Sequence, residues 1–437
     1  MKKILLMLST NIGIKIISTI YGILLARVLG PDLKGEYAIA LLIPSFLISF
    51  FDFGVGQGAV YYYRRGVYSI QKTVSSVLVF AITIGLLIVF VLLLCLPALQ
   101  RIFPVVHSDT IFIVAILYFP FLLIQQYVGL LVLSVGHIKT YNIIMLFKEL
   151  AYLLFILYIY LNVIQNLNVI LIAYVAINSI SIISMFCVLL RKNTFKISMI
   201  SFEAIKEYIK YGYKISLLSI VNYLHYKSDL YLVSLFLTAG DVGIYSLSIS
   251  LAEMLWIIPN SSSNLLFIDE ATKSEKIDSI DKTRLNAKIL FYIVIVCGVL
   301  LALIGYPAIK YIYSEKFIES FIPLLILIPG NISFSLFKMF GNMVAANGNP
   351  EKLVIASLIA AIINIILNII VIPRVGIIGA ALVSTLTYSL AAIIILKFYA
   401  QIKRLTIKNT VMINQDEFAF VKEQFSIWAK RWAKNHA

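Results

Sequence analysis

The sequence predicts an all-α integral membrane protein: twelve transmembrane helices in two six-helix lobes, with both ends on the cytoplasmic side. Three observations predict it. Hydrophobic residues make up 61% of the 437 and charged residues only 13%, against roughly 45–50% apolar in ordinary soluble domains. Too few charges remain to cover a chain of this size in water, so its solvent is lipid. Long apolar runs recur along the whole chain, and the cations are sorted between alternate loops. That sorting explains the net charge of +15 without a nucleic-acid partner.

A hydrocarbon core of about 30 Å needs about 20 mostly apolar helical residues. Such runs lie at 4–28, 37–60, 72–96, 108–134, 141–163, 167–190, 213–238, 243–266, 286–307, 318–345, 352–373 and 376–399. They lack the alternation of barrel strands, and helices satisfy every backbone polar group internally, as lipid demands. The opening run has the basic start of a signal peptide. However, Asn11 and Lys15 interrupt its apolar region and no small-residue cleavage site follows, so it reads as a retained first span. Its partner leaves the membrane through a glycine-, tyrosine- and arginine-rich exit, FDFGVGQGAVYYYRRG. With the N-terminus inside, 26 of the 36 Lys and Arg fall in cytoplasmic segments and 6 in outer loops. This is the positive-inside pattern. The other 4, Lys15, Lys148, Lys227 and Lys338, lie within spans.

The two halves echo each other. LGPDLKGEYAIAL (29–41) resembles LTAGDVGIYSLSI (237–249), with Gly35 over Gly243 and Tyr37 over Tyr245. LSVGHIKTYNIIM (133–145) resembles AANGNPEKLVIAS (345–357), with Gly136 over Gly348. Both offsets are near 210 residues. An even number of spans per half means that both halves enter the membrane in the same direction. A parallel pseudo-two-fold repeat follows, with a path between the halves. The expected domains are an N-terminal lobe over 1–200, a C-terminal lobe over 201–400 and a basic, amphipathic cytoplasmic tail over 401–437. In that tail Phe418, Val421, Phe425, Trp428 and Trp432 recur at helical spacing, suiting an interfacial helix; a frayed tail is the plainer alternative.

Enzyme motifs are missing. There is no G-x-x-x-x-G-K-[ST] loop and no H-E-x-x-H, and DFGVGQG follows an apolar helix rather than the strand a dinucleotide loop requires. Its glycines, Gly54, Gly56 and Gly58, suit close helix packing. Cys95, Cys187 and Cys297 sit far apart in apolar runs, without metal or redox spacing, and read as core packing. No metal or cofactor is expected.

The informative residues are polar groups inside spans, where a charge costs about 2.5–3.5 kcal/mol at a helix centre and so faces a cavity or a partner. Asn11, Lys15, Ser18 and Gly22 form one stripe on the first span. The seventh carries Ser219, Asn222, His225, Tyr226 and Asp229, the eighth Ser246, Ser250, Glu253 and Asn260, and the tenth Asn331, Ser335, Lys338 and Asn342. The cations suit an anionic substrate, giving Lys15, Lys148, Lys227 and Lys338, with Asn11 and Arg27 nearby, as the substrate-binding set. Asp229, Glu253 and His225 are the candidates for coupling to H+ or Na+. The plain alternative for Lys148–Glu149 and Lys227–Asp229 is a packing ion pair or a snorkelling side chain.

RVLGPDLKGEYA (27–38), the FDFGVGQG exit, and NGNPEKLVIASLIAAIINIILNIIVIPRVGIIGAALVSTLTYSL (347–390) resemble the polysaccharide flippases of the multidrug/oligosaccharidyl-lipid/polysaccharide exporter superfamily. The last stretch is the most specific, with its paired Asn364 and Asn368 followed by IPRVGIIGAA. The resemblance implies transport of undecaprenyl-diphosphate-linked oligosaccharide units from the inner to the outer leaflet of the bacterial cytoplasmic membrane. Such units feed O-antigen (lipopolysaccharide), capsule or exopolysaccharide synthesis, and a polymerase and a chain-length regulator are the implied partners. The chain lacks the two extra spans usual in lipid II flippases. Two other readings stay open: a multidrug/cation antiporter, which four intramembrane lysines disfavour, and a non-transporting scaffold for glycosyltransferases.

Overall fold

The computed structural model describes residues 2–103, 106, 108–190, 195–271, 281–420 and 422–423, and no strand occurs among them. Helices run as α1 (Lys2–Phe51), α2 (Val55–Arg64), α3 (Ile70–Leu94), α4 (Leu96–Ile102), α5 (Asp109–Ser134), α6 (Ile138–Leu161) and α7 (Leu167–Leu190). They continue as α8 (Phe202–Phe236), α9 (Ala239–Ala252), α10 (Ile257–Ala271), α11 (Lys282–Pro307), α12 (Phe321–Ala346), α13 (Pro350–Lys403) and α14 (Ile407–Val411). Nine stretches among the described residues are long and apolar enough to cross a membrane. Their outward faces carry large apolar side chains such as Phe90, Phe147 and Leu303, each at least 65% exposed. A soluble protein does not present such a surface, and this is a multi-pass membrane protein.

The longest two helices are each broken once. At Gly30 in α1 (φ 68, ψ −176) and Gly376 in α13 (φ 67, ψ −149) the backbone leaves helical geometry. Both angles belong to the region only glycine enters freely. At Gly30 the following Pro31 also disfavours a helical predecessor.

The chain packs as two compact units: Met1–Ser248 with Tyr306–Pro323 and Ile365–Ala380, and Ile249–Gly305 with Leu324–Asn364 and Ala381–Ala437. In the first, α1 packs on α5, α6 and α8, while α3 and α7 pack on α5. The echo between 29–41 and 237–249 has a direct structural meaning there. A Cβ on Gly35 would lie 1.9 Å from the Ala239 carbonyl oxygen, and one on Gly243 would lie 2.0 Å from that of Pro31. The matching glycines of the repeat thus form a backbone-to-backbone helix crossing. The second echo also holds, since Gly136 and Gly348 both carry positive φ, 95° and 79°.

In the second unit, Asn364 and Thr387 join by a buried 2.9 Å hydrogen bond. One end of this unit is clamped by two ionic clusters. Lys403 pairs with the buried Glu270 at 2.7 Å, and Asn347 donates to Glu270 and accepts from Lys403. Beyond α14, Glu417 accepts from Lys288 at 2.8 Å and from Arg284 at 3.3 Å. Residues up to Glu417 are therefore docked. Phe418 is exposed, whereas Val421, Phe425, Trp428 and Trp432 of the expected stripe lie outside the described residues, as do the basic segments 191–194 and 272–280. One expectation is corrected: Cys95 and Cys187 are exposed and only Cys297 is half-buried. In a lipid solvent an apolar run has no reason to face inward, so membership of such a run does not predict core packing.

Candidate functional site

In the first unit, the second half of α1, the ends of α3 and α4, and α8 enclose a cavity of about 380 Å³. Its walls are almost entirely apolar, with Leu42, Phe46, Phe103, Leu224 and Tyr231 among them, and among the described residues Lys227 is the one charged residue lining it. Tyr223 in the same wall donates to the Leu42 carbonyl at 3.0 Å, tying α8 to α1. An ammonium against apolar walls has the chemistry to take an amphiphile with an anionic head.

Two residues further along α8, Asp229 is 2% exposed. Its Oδ2 accepts from the Tyr245 hydroxyl at 2.9 Å, and its Oδ1 from the Leu230 amide. His225 is buried one turn earlier, its ring 5.7 Å from that of Tyr226. Lys227, Asp229 and His225 therefore sit on one helix turn, the acid and the imidazole inside the protein and the lysine at the cavity. Tyr245 is the repeat partner of Tyr37, whose hydroxyl meets that of Tyr152 at 3.2 Å.

The remaining residues of the expected set are dispersed. Lys15 is half-buried and Asn11 exposed on α1. The hydroxyls of Ser18 and Thr19 return to the Lys15 carbonyl, each at 2.9 Å. Arg27 donates to the carbonyls of Tyr311 and Ile312 and thereby satisfies the end of a helix, which gives it a structural task. Lys148 pairs with Glu149 at 3.1 Å, the packing pair foreseen as its plain alternative. That pair borders rings from Tyr21, Tyr152 and Tyr174. In the second unit, Lys338 lies over the Trp256 ring at 4.4 Å and the Phe334 ring at 5.4 Å, cation–π contacts worth about 2 kcal/mol when desolvated. Glu253 is half-buried in the single 3-10 turn Glu253–Trp256 that joins α9 to α10.

A second cavity of the first unit, about 420 Å³, was not legible from charges. Gln57, Gln125, Gln126 and Tyr141 line it and, among the described residues, no charged one does. Uncharged amides split between α2 and α5, facing a tyrosine on α6, leave no spacing signal. Only the intramembrane polarity of Gln125–Gln126 marks them in the sequence.

Two comparisons of structure define the class of this fold. An inward-facing multidrug resistance MATE family transporter of the MOP superfamily superposes with a TM-score of 0.75 at 15% identity, over 90% of this chain and 96% of its own. The lipid II flippase MurJ in its inward closed conformation does so with a TM-score of 0.75 at 16% identity, over 97% of this chain and 92% of its own. The chain shares its fold with these two proteins. Residues 1–267 match the family model described as "Polysaccharide biosynthesis protein", and the chain belongs to that family. A curated relative, the probable low-salt glycan biosynthesis flippase Agl15 of Haloferax volcanii, is 23% identical over 227 residues. That match spans about half of each chain, 48% of both.

Proposed function

We propose that this membrane transporter flips a polyprenyl-diphosphate-linked oligosaccharide between leaflets, with undecaprenyl diphosphate as the carrier in a bacterial cytoplasmic membrane. The observation that carries the reading is Lys227 in its apolar cavity. An isoprenoid chain suits the walls and a diphosphate suits the ammonium. Lys15, on the half of α1 before the Gly30 break and outside the lining of this cavity, is the second cation proposed. The family match and the glycan-flippase relative support the same substrate class. The sugar unit then serves O-antigen, capsule or exopolysaccharide synthesis, with a polymerase and a chain-length regulator downstream.

The working topology has twelve spans with both ends inside. Dividing the nine candidate stretches at Gly30 and Gly376 yields eleven. Helix α8 supplies the twelfth: its first half carries Glu203, Lys206, Glu207, Lys210 and Lys214, which lower its mean hydropathy. Transport is by alternating access, with Asp229 or Glu253 coupling it to an H+ or Na+ gradient. The MATE-like fold favours a second reading, antiport of organic cations. Against it, Lys338 already covers the aromatic faces of Trp256 and Phe334 that an organic cation would seek.

The test is equilibrium binding of undecaprenyl diphosphate to the full-length protein in lipid nanodiscs. A hydrogen bond to a charged group contributes about 1.5–3 kcal/mol, so Lys227→Met weakens binding by roughly 10- to 150-fold. Unchanged affinity in that variant removes the head group from this cavity.

A further inference from the structure

We infer that the cavity lined by Gln57, Gln125, Gln126 and Tyr141 is a subsite for the uncharged hydroxyls of the glycan, an inference that rests on the flippase reading. Its construction begins with the FDFGVGQG exit. Gly54 and Gly58 let α2 touch the α8 backbone: a Cβ at Gly54 would lie 2.2 Å from the Gly212 carbonyl oxygen, and one at Gly58 would lie 2.3 Å from that of Tyr208. Gly56, on another face, is pressed against Tyr127 and Leu130 of α5, both 2.9 Å from where its Cβ would stand. Between these contacts Gln57 is carried to the cavity as part of a tightly wedged helix, not a loose one. The opposite wall is fixed likewise. Gly129 admits the Tyr141 ring at 3.2 Å from its own missing Cβ, and Gln125 reaches Ser181 of α7 at 3.5 Å.

The chemistry of this lining selects its ligand. Each carboxamide offers two N–H donors and a carbonyl acceptor, and the phenol offers one of each. Among the described residues no carboxylate, ammonium or guanidinium lines the space, so an ion finds no counter-charge from them, while a vicinal diol finds both a donor and an acceptor at each amide. The Tyr141 ring adds an apolar face suited to the C–H side of a pyranose. Polar side chains within a membrane are costly and mark ligand pathways. One of them is also unsatisfied: Gln57 Oε1 is buried and has no hydrogen-bond partner among the described residues. A buried acceptor left so costs about 1–3 kcal/mol, which a sugar hydroxyl donating to it would recover. In the proposed topology the cavity lies toward the cytoplasmic ends of α1, α5 and α6, where a glycan assembled in the cytoplasm is met first. The Lys227 cavity lies on the same stretch of α1, with Leu47 lining one and Ile48 the other. The division of labour is thus between a cation for the carrier and amides for the sugars.

The test uses full-length protein in nanodiscs and two probes, undecaprenyl diphosphate and the same carrier bearing a neutral trisaccharide. The glycan-bearing probe is expected to bind at least about tenfold more tightly. Gln57→Met combined with Gln126→Met removes that increment and leaves the bare carrier within about twofold of the parent. An increment that survives in the variant, is missing from the parent, or falls together with bare-carrier affinity overturns the inference. Failure of the flippase reading looks different: the bare carrier itself does not bind. The free trisaccharide at millimolar concentration then decides the subsite, by protecting Gln126→Cys from a maleimide in a chain whose Cys95, Cys187 and Cys297 are serine. Protection upholds a glycan site, and unprotected labelling, the mark of a cavity for water only, overturns it.

Discussion

Replacing Gly35 by alanine tests the most specific piece of the fold. The added methyl would lie 1.9 Å from the Ala239 carbonyl oxygen, 2.8 Å from its carbon and 3.0 Å from the Gly243 nitrogen. All three are backbone atoms, so no side chain can rotate away; α1 and α9 must part by more than about 1 Å. Overpacking of this kind costs about 1–3 kcal/mol. The opening gap adds to that, because a separation of 0.5–1 Å forfeits a quarter to a half of each contact's dispersion energy. Working in the other direction, alanine is the better helix former by roughly 0.5–1 kcal/mol. The net expectation is destabilisation of about 1–2 kcal/mol. Gly22→Ala is the matched control: on the same helix, nothing lies within 4 Å of its Cβ position, so it gains the propensity term alone. Thermal unfolding of the purified variants in detergent, followed by size-exclusion fluorescence, separates the two. At about 2–4 °C per kcal/mol for a body of 150–250 residues, Gly35→Ala melts several degrees below the parent and Gly22→Ala at or slightly above it. Equal melting temperatures for the two variants would refute the backbone-contact crossing.

Two further expectations concern charges. Burial pushes the Glu417 carboxyl up, but hydrogen bonds from Lys288 and the Asn414 amide, with the charges of Lys288 and Arg284, more than offset this and hold it below the usual carboxylate range. A depressed carboxyl stabilises above its unfolded value, about 4.3 for glutamate, and that contribution is lost as the pH falls through the lower folded value. Hydrogen exchange of 405–417 is therefore flat between pH 8 and 5 once corrected for intrinsic rates, and Glu417→Gln raises it at least about tenfold at neutral pH; an unchanged rate there means that the pair does not hold the segment. For coupling, Asp229→Asn or Glu253→Gln should abolish the response of transport to an imposed proton or sodium gradient, and a response preserved in both variants rules these two carboxylates out.

Features written in the sequence as repetition or periodicity were legible. The break at IPRVGIIGAA and the two glycine echoes reappear, and most of the apolar runs do so among nine apolar stretches, though the run at 37–60 breaks after Phe51 and that at 243–266 at the turn Glu253–Trp256. A turn, a lipid-facing helix and a close crossing each impose local residue requirements. Gly35 and Gly243 align in the repeat for the same reason that they touch: neither position has room for a Cβ. The sites were only partly legible. Lys227, His225 and Asp229 were found because charge within an apolar run is conspicuous. Whether such a charge faces a cavity or a neighbour depends on tertiary contacts, and so Arg27 turned out to bind the carbonyls of Tyr311 and Ile312 and Lys148 its own neighbour Glu149. Gln57 on α2 and Gln125 and Gln126 on α5 carry no charge, and only folding brings the two helices to one cavity. The cysteines misled for a physical reason, since in lipid an apolar environment lies on the outside as well as the inside.

The central claim is transport of a lipid-linked glycan, with Lys227 at its cavity and Lys15 on α1 as the two proposed cations. It is tested most directly in proteoliposomes containing the full-length chain and a fluorescent undecaprenyl-diphosphate oligosaccharide, with an impermeant glycosidase reporting how much glycan reaches the outer leaflet. The account predicts glycosidase-accessible substrate rising with time only when the protein is present, and a rate reduced at least about tenfold by Lys15→Met combined with Lys227→Met. Wild-type protein no faster than empty liposomes, or a double variant as fast as the parent, would contradict it.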